Sequence, residues 1–474
     1  MRPERRPRLA VLAPYWAFWE HTAGPDFRAD REGLARAVAA HVQDMAEVVA
    51  VELVDSRESG QRVAAQLEDV HADVLLIAQS MAASPAYLLA CLDALPTLPI
   101  VIWAVHRSVP IMPDFDHAAI TTAGATVGTP QLTNTLVRRG RAFDLVLGRV
   151  EDPPTVARVR DAVRLAGVAA GLRSARLGRV GRPIDGYECV DVDDSLLQAA
   201  TGIAMIPIAP EEFVERWRAV DPVRLRQLEA EVDAIWQRAP DLEEGETLQR
   251  SLRAAAALEQ LVDDYALDAG AMNCHVPQIR LGEEIGIAPC YGLGRLTSLG
   301  VPWTCTGDVL TAVAMLSVKR LGGAAVYHEL EAVDYATGEL VIANSGEHDL
   351  GWCAPGERPV LRRNSWFEAT DARCGACGSC SPAPGPATLV GFTPHPRAER
   401  QFQFVIAPGE LTARRFPATG TTNGAFRFAS GPVGEAWVRW ARAGVNHHSC
   451  ATPGDYADAV EGVARQLGVD AVRV

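Results

Sequence analysis

The sequence predicts an α/β protein in which two Rossmann-like parallel-sheet domains precede a β-rich, antiparallel or barrel-like C-terminal domain. Three observations carry this. Roughly the first hundred residues alternate short, continuously apolar runs with longer amphipathic stretches, the rhythm of βαβ units. The same rhythm resumes near Phe143-Asp144-Leu145-Val146-Leu147, and beyond about residue 309 the segments become short, β-rich and broken by Gly and Pro. A chain of 474 residues exceeds what one core holds, because single cores stop growing at roughly 250 to 300 residues. We therefore expect domains over residues 1–142, 143–308 and 309–474.

The first expected strands are Leu9 to Pro14, Val48 to Val54, Val74 to Ala78 and Ile100 to Ala104. Helical patterns lie between them at Arg31 to Asp44, Gly60 to Val70 and Pro85 to Leu95. Apolar strands joined by helices imply a parallel sheet covered on both faces, with ligands received at the carboxyl ends of its strands. Tyr15, Trp16 and Trp19 follow the first strand, so Trp16 is a candidate pocket residue, with core packing as the plainer reading. The second block continues with a helix from Thr155 to Leu172, strands at Ala175 to Val180 and Gly202 to Ile208, and helices over Glu211 to Arg238 and Glu244 to Tyr265, parted by Ala239-Pro240-Asp241. The last block opens with a helix at Val309 to Leu321. Strands follow at Glu339 to Ala343, Ala387 to Thr393, Gln401 to Ile406 and Phe426 to Ala429, then a helix at Tyr456 to Leu467 and a strand at Ala471 to Val474.

Composition narrows the function classes. A net charge of −14 repels phosphate backbones and anionic lipid, so nucleic acid is not an expected partner. No run approaches the 18 or so apolar residues of a membrane span, so no membrane partner is expected. Arg2, Arg5, Arg6 and Arg8 precede an apolar run, but no small-x-small cleavage site follows and Leu9 to Pro14 reads as a strand rather than a signal peptide. Ten cysteines in a chain of this length then read as reduced thiols or metal ligands in a cytoplasmic protein. Cys91, Cys189, Cys274, Cys290 and Cys305 read as single buried thiols. Gly292-Leu293-Gly294 lacks the strand, turn and helix setting of a nucleotide site.

The densest polar cluster comprises Thr304-Cys305-Thr306-Gly307-Asp308, Tyr327-His328-Glu329, Asn344-Ser345-Gly346-Glu347-His348-Asp349 and Val445-Asn446-His447-His448. A divalent cation such as Mn or Mg takes oxygen ligands with one or two imidazoles, and Asp308, Glu329, His348 and His447 could make such a set. His328 could orient Glu329 or simply pack.

These pieces resemble the L-fucose and L-arabinose isomerase family. PWTCTGDVLTAVAML, from Pro302 to Leu316, is similar to the segment where that family's acidic E-x-D motif opens a helix. VYHE resembles its strand with the second metal carboxylate, IANSGEHD its Gly-x-His turn, and GVNHH the turn that supplies its metal histidine. The resemblance implies aldose–ketose isomerisation through an enediol, with Mn or Mg on Glu329 and His447, His348 as a further ligand, Asp308 and Glu329 as catalytic carboxylates, and His448 in the pocket. It also implies a small-molecule sugar substrate and a homo-oligomer, trimer or hexamer. The chain departs from the pattern where Thr306 replaces the motif's Glu, and a second family Glu falls at Gln278. A hydroxyl and an amide are not bases at neutral pH. Either Asp308 or the pair Glu283 and Glu284 has taken over, or the reaction has changed; the pair also reads as a solvated helix face.

Cys374-Gly375-Ala376-Cys377-Gly378-Ser379-Cys380 is a double C-x-x-C in a Gly-rich loop. Cys374, Cys377 and Cys380 could wrap zinc or an iron–sulfur cluster with Cys353, Cys450 or a histidine as fourth ligand, or be incidental loop thiols. The alternative functions are therefore a relative with altered chemistry at a Cys-ligated centre, and a non-catalytic sugar-binding relative.

Overall fold

The computed structural model describes residues 5–107, 111–242, 246–364, 374–397 and 401–474. The chain forms two compact units. One runs to Arg173 and includes Gly462–Gly468; the other comprises Ser174–Glu461 with Val469–Val474.

The first unit holds strands β1 (Arg8–Pro14), β2 (Glu47–Val54), β3 (Val74–Gln79), β4 (Ile100–His106) and β5 (Asp144–Arg149) in one parallel sheet of order β2-β1-β3-β4-β5. β3 is buried throughout and β1 and β4 nearly so, which is why their sequences are continuously apolar rather than alternating. Ser56 caps the helix Arg57–Asp69 by a reciprocal bond with Ser59, ending β2 with a sharp turn. The strand near residue 144, expected to open a second domain, is instead the edge of this first sheet, in register with β4 from Val101↔Asp144 to His106↔Arg149. The following helix, Pro153–Arg173, packs Val159, Val163 and Ala166 into the same core as Val101 and Trp103. An edge strand buries only part of itself, so composition alone does not reveal which sheet it joins.

The second unit carries another parallel sheet. Its strands are β6 (Arg176–Val180), β7 (Ala204–Ile208), β9 (Ala269–Met272) and β10 (Trp303–Thr304), in order β10-β9-β6-β7; β8 (Gln237–Arg238) lies between them in sequence and joins a small sheet described below. Gly270 of β9 lies under the Trp303 indole, and a Cβ there would stand 2.5 Å from the ring. The single helix expected over Glu211 to Arg238 is two, Pro210–Ala219 and Pro222–Ile235, because Asp221 caps and Pro222 starts the second. Glu244, the expected start of the next helix, lies outside the described residues; the helix spans Thr247–Tyr265.

The C-terminal part is β-rich. Strands β11 (Val326–Asp334), β12 (Glu339–Ala343), β15 (Gly385–Pro394), β16 (Phe402–Leu411), β17 (Asn423–Phe428) and β18 (His448–Pro453) pair antiparallel in the order β15-β18-β11-β12-β17-β16. Because β15 also pairs with β16, the six strands close on themselves, and β19 (Asp470–Arg473) adds to β16 in parallel. Closure removes free edges and encloses Val326, Leu340, Ile342, Leu389, Val405 and Phe426. A small sheet joins β8 to β13 (Val360–Arg363) and β14 (Ala376–Ser379).

His348 belongs to the interior beside this sheet. Its ring meets Trp236 edge-on at 4.8 Å and lies over Gly294 and Gly378, where any Cβ would collide with it. The next residue, Asp349, is buried and ion-paired to Lys319 at 2.7 Å, while its oxygens accept from the backbone of Ala325 and Gly351.

Removing one partner of a buried ion pair leaves the other charge uncompensated, at a cost of about 3–5 kcal/mol. Lys319→Met is therefore expected to lower unfolding stability by that order in urea titrations, with Asp349→Asn milder. A loss below about 1 kcal/mol would show that Asp349 is not held by Lys319. Neither His348 nitrogen has a hydrogen-bond partner among the described residues, and burial depresses its pKa to about 3. The unfolded chain takes up a proton there below about pH 6.5 while the folded chain does not, so stability present above that pH is lost as pH falls toward 3. Wild type should lose about 2–3 kcal/mol relative to His348→Phe between pH 7 and 4.5. A gap that stays constant across that range would contradict the assignment.

Candidate functional site

Glu329 and His448 face each other across the antiparallel pair β11 and β18. Directly opposed residues project to the same side, which brings Glu329 Oε1 to 3.2 Å from His448 Nε2. Tyr327, two residues earlier on the same strand face, places its hydroxyl 2.6 Å from His448 Nδ1. His328 points the other way and meets Ser449 Oγ at 3.2 Å, so it packs rather than orienting Glu329.

Asp308 completes the support of His448. It is fully buried at the N-cap of the helix Val309–Arg320, where its carboxylate accepts from the Thr311 backbone N–H and hydroxyl at 2.9 and 2.7 Å. The same carboxylate receives Asn446 Nδ2 at 3.3 Å and stands 3.1 Å from His448 Nδ1. Thr306 and Gly307 both take positive φ, 56° and 79°, to turn the chain into this cap. The Thr306 hydroxyl donates to the backbone of Cys305.

Burial disfavours charge on His448, but the hydrogen bonds and attraction of Asp308 and Glu329 outweigh it and push its pKa up to about 9. Burial likewise opposes the Glu329 charge, and the His448 hydrogen bond with both imidazoles prevails and lowers its pKa. His447 is exposed, its ring tilted 40° against that of His448 with ring centres 3.6 Å apart, and approached by Cys189 Sγ at 3.7 Å. Cys189, expected to be buried, is exposed.

Glu329, His447 and His448 each offer a ligand atom within 4.8 Å of the others. One carboxylate and two imidazoles suit a borderline divalent cation. Among the described residues the other such group is Cys274, His275 and Cys305. Neither group includes His348, and neither includes Cys374, Cys377 or Cys380.

Glu347 has a position that the sequence reading left without a role. Its side chain is buried, no other described residue hydrogen-bonds its carboxyl oxygens, and burial raises its pKa to about 7 against the opposing pull of its own backbone N–H. It lies within the electrostatic reach of Cys274, His448 and Glu329. Asn344 sets the turn that turns it inward, donating to the Tyr327 and Glu347 carbonyls at 2.7 and 2.5 Å and accepting from Gly346 N–H at 3.0 Å. Gly346 is required there: its φ is 152°, and a Cβ would meet Asn364 and Cys290 within 3 Å. The signal in the sequence is the acid in the turn after β12, beside His348.

The remaining expected site residues lie elsewhere. Gln278 donates to Glu211, and Glu284 pairs with Arg218 at an exposed position, as a solvated face would. Trp16 packs with Phe18 and Trp19 in the first unit. Cys380 is joined to Cys353 in a disulfide, and Cys374 and Cys377 pack with Ala288 and Cys290. The tight β13–β14 pairing turns these thiols into the interior, so the Cys run does not gather its three sulfurs around one ion, and two of the ten cysteines are not free thiols. Cys274 and Cys305, expected to stand alone, are neighbours.

No family model matches the chain. Over 223 residues it is 25% identical to L-arabinose isomerase of Mycolicibacterium smegmatis, a stretch covering 46% of this chain and 44% of that protein. Over 217 residues it is 28% identical to L-arabinose isomerase of Acidothermus cellulolyticus, covering 44% of this chain and 42% of that protein. The chain thus matches less than half the length of either relative, as a distant and partial likeness to sugar isomerases.

Proposed function

We propose that this protein is a divalent-metal-dependent isomerase that interconverts the aldose and ketose forms of a small sugar. The observation that carries the reading is the convergence of Glu329 on β11 with His447 and His448 at the start of β18, together with a second buried carboxyl, Glu347, that no other described residue hydrogen-bonds. The partial similarity to L-arabinose isomerases supports the same class of reaction.

The donor set fits a cation. His448 stands between two carboxylates with Nε2 toward the half-exposed Glu329, so losing its proton frees a lone pair on the side where Glu329 and His447 already offer theirs. Glu329, His447 and His448 would hold the ion, and Asp308, through Nδ1, fixes the ring that presents it. A bound divalent ion supplies a Lewis acid for the neighbouring carbonyl and hydroxyl oxygens of an open-chain sugar. The protein must then move one proton between adjacent carbons. Glu347 is the carboxyl left free to do so, because Asp308 is committed to the helix cap and Glu329 to His448. Thr306 takes no part as a base, and the Asp308 carboxylate acts as a positioning group.

Incubating the protein with Mn and a panel of aldoses that includes L-arabinose and L-fucose should yield ketose and exchange of the proton at the second carbon. Chelation should abolish both. Glu329→Gln and His447→Gln should weaken Mn binding by more than about 100-fold, the scale seen when even a ligand's supporting partner is lost. Glu347→Gln should bind Mn but lose about 10²–10⁴-fold in turnover, the usual contribution of a positioned acid or base. Metal binding without ketose or proton exchange on any sugar would favour the sugar-binding alternative and remove the isomerase reading.

A further inference from the structure

Cys274 follows β9 and Cys305 follows β10, and these strands run side by side in parallel, with Trp303 opposite Gly270 and Thr304 opposite Ala271. Their sulfurs lie 3.1 Å apart in the interior. Together with His275 they could pass for a metal site. The protonation of His275 argues otherwise. Arg280 Nη1 stands 3.0 Å from His275 Nδ1, and a guanidinium has only donors and keeps its proton, so Nδ1 must accept. The ring's own proton is then on Nε2, which leaves no lone pair for a cation. The ring also hydrogen-bonds the Cys274 sulfur, and in this tautomer it does so as a donor. Arg280, His275 and Cys305 are thereby arranged to stabilise a thiolate on Cys274, with a second thiol already in contact with it.

We propose that Cys274 and Cys305 form a redox-active dithiol, a modification site that hydrogen peroxide, or another two-electron oxidant of that class, converts to an intramolecular disulfide. The Cys274 thiolate attacks one peroxide oxygen and the O–O bond breaks, giving a sulfenic acid and a hydroxide that takes a proton to become water. Cys305 then attacks the Cys274 sulfur and the S–O bond breaks. The departing hydroxide leaves as water with the Cys305 proton, so two thiols and one peroxide give one disulfide and two waters. The sulfurs must close by only about 1 Å to reach a bond of about 2.05 Å. The link forms three residues before Asp308, so oxidation bears on the candidate centre. That consequence rests on the function proposed above, whereas formation of the bond does not.

The test uses the full-length reduced protein, a small excess of hydrogen peroxide, alkylation under denaturing conditions and peptide mass mapping without reduction. A Cys274–Cys305 linked peptide that disappears on treatment with dithiothreitol is expected, while Cys91 and Cys450, free and buried, are recovered alkylated. Arg280→Gln should slow the link at least tenfold. Cys305→Ser should halt at a sulfenic acid on Cys274 that dimedone traps. Recovery of Cys274 and Cys305 alkylated to the same extent as Cys91, or linkage of Cys274 to any other cysteine, overturns the proposal. Should Cys305→Ser fail to fold, the wild-type peptide map alone decides.

Discussion

The candidate centre depends on one buried carboxylate. Asp308 has no exposed surface, and an unpaired charge in that position would be prohibitively costly. It is tolerated because it meets the Thr311 backbone and hydroxyl, Asn446 and His448 at once. Two distant parts of the chain, the start of the helix Val309–Arg320 and the turn into β18, are therefore fixed to each other through one side chain. With His448 held at Nδ1, its other nitrogen can only face Glu329, which the β11–β18 register puts opposite. A residue that resembles a catalytic acid in sequence thus acts first as a joint between a helix cap and the His448 imidazole.

Much of the fold was legible because burial on both sides of a parallel sheet leaves an apolar run with clear ends. β1, β3 and β4 begin and end within two residues of where hydropathy puts them. Legibility fails where burial is partial or an element is very short. β5 is an edge strand, half exposed, and its membership in the first sheet rests on pairing to β4 rather than on its own residues. β8 is two residues long and exists only because β13 accepts it. The break at Asp221-Pro222 was readable in principle, since Pro at a first helical position marks a start as well as a stop.

The site was legible residue by residue in proportion to how far strand alternation decides it. Glu329, His447 and His448 lie on or beside strands whose partners fix the facing side. His348 and Glu347 lie in a turn, where no periodicity says which of two neighbours looks inward. That choice is made by Asn344, which bonds across the turn, and by the unusual φ of Gly346. His348 consequently fills a gap over two glycines, and the acid beside it occupies the polar interior. The Cys run shows the same limit: C-x-x-C spacing is shared by loops that wrap an ion and by a run such as this one, in which Cys377 lies on β14 and packs inward while Cys380, just beyond the strand, is bonded to Cys353.

Glu347 is the residue whose environment most needs an explanation beyond packing. A buried carboxyl that no other described residue hydrogen-bonds is under-satisfied, at a cost of up to about 1–3 kcal/mol, and an apolar residue of similar size would avoid that cost. Burial answers the charge by raising its pKa to about 7, toward the range where a carboxyl can both give and take a proton. Asp308 and Glu329, which flank His448, are instead tied into hydrogen bonds. Carboxyl groups of one cluster are thus separated by environment into those that hold a fixed geometry and one that is free to exchange a proton. Such a separation of roles is what the proton transfer proposed above requires, and it comes from which groups receive a partner and which do not.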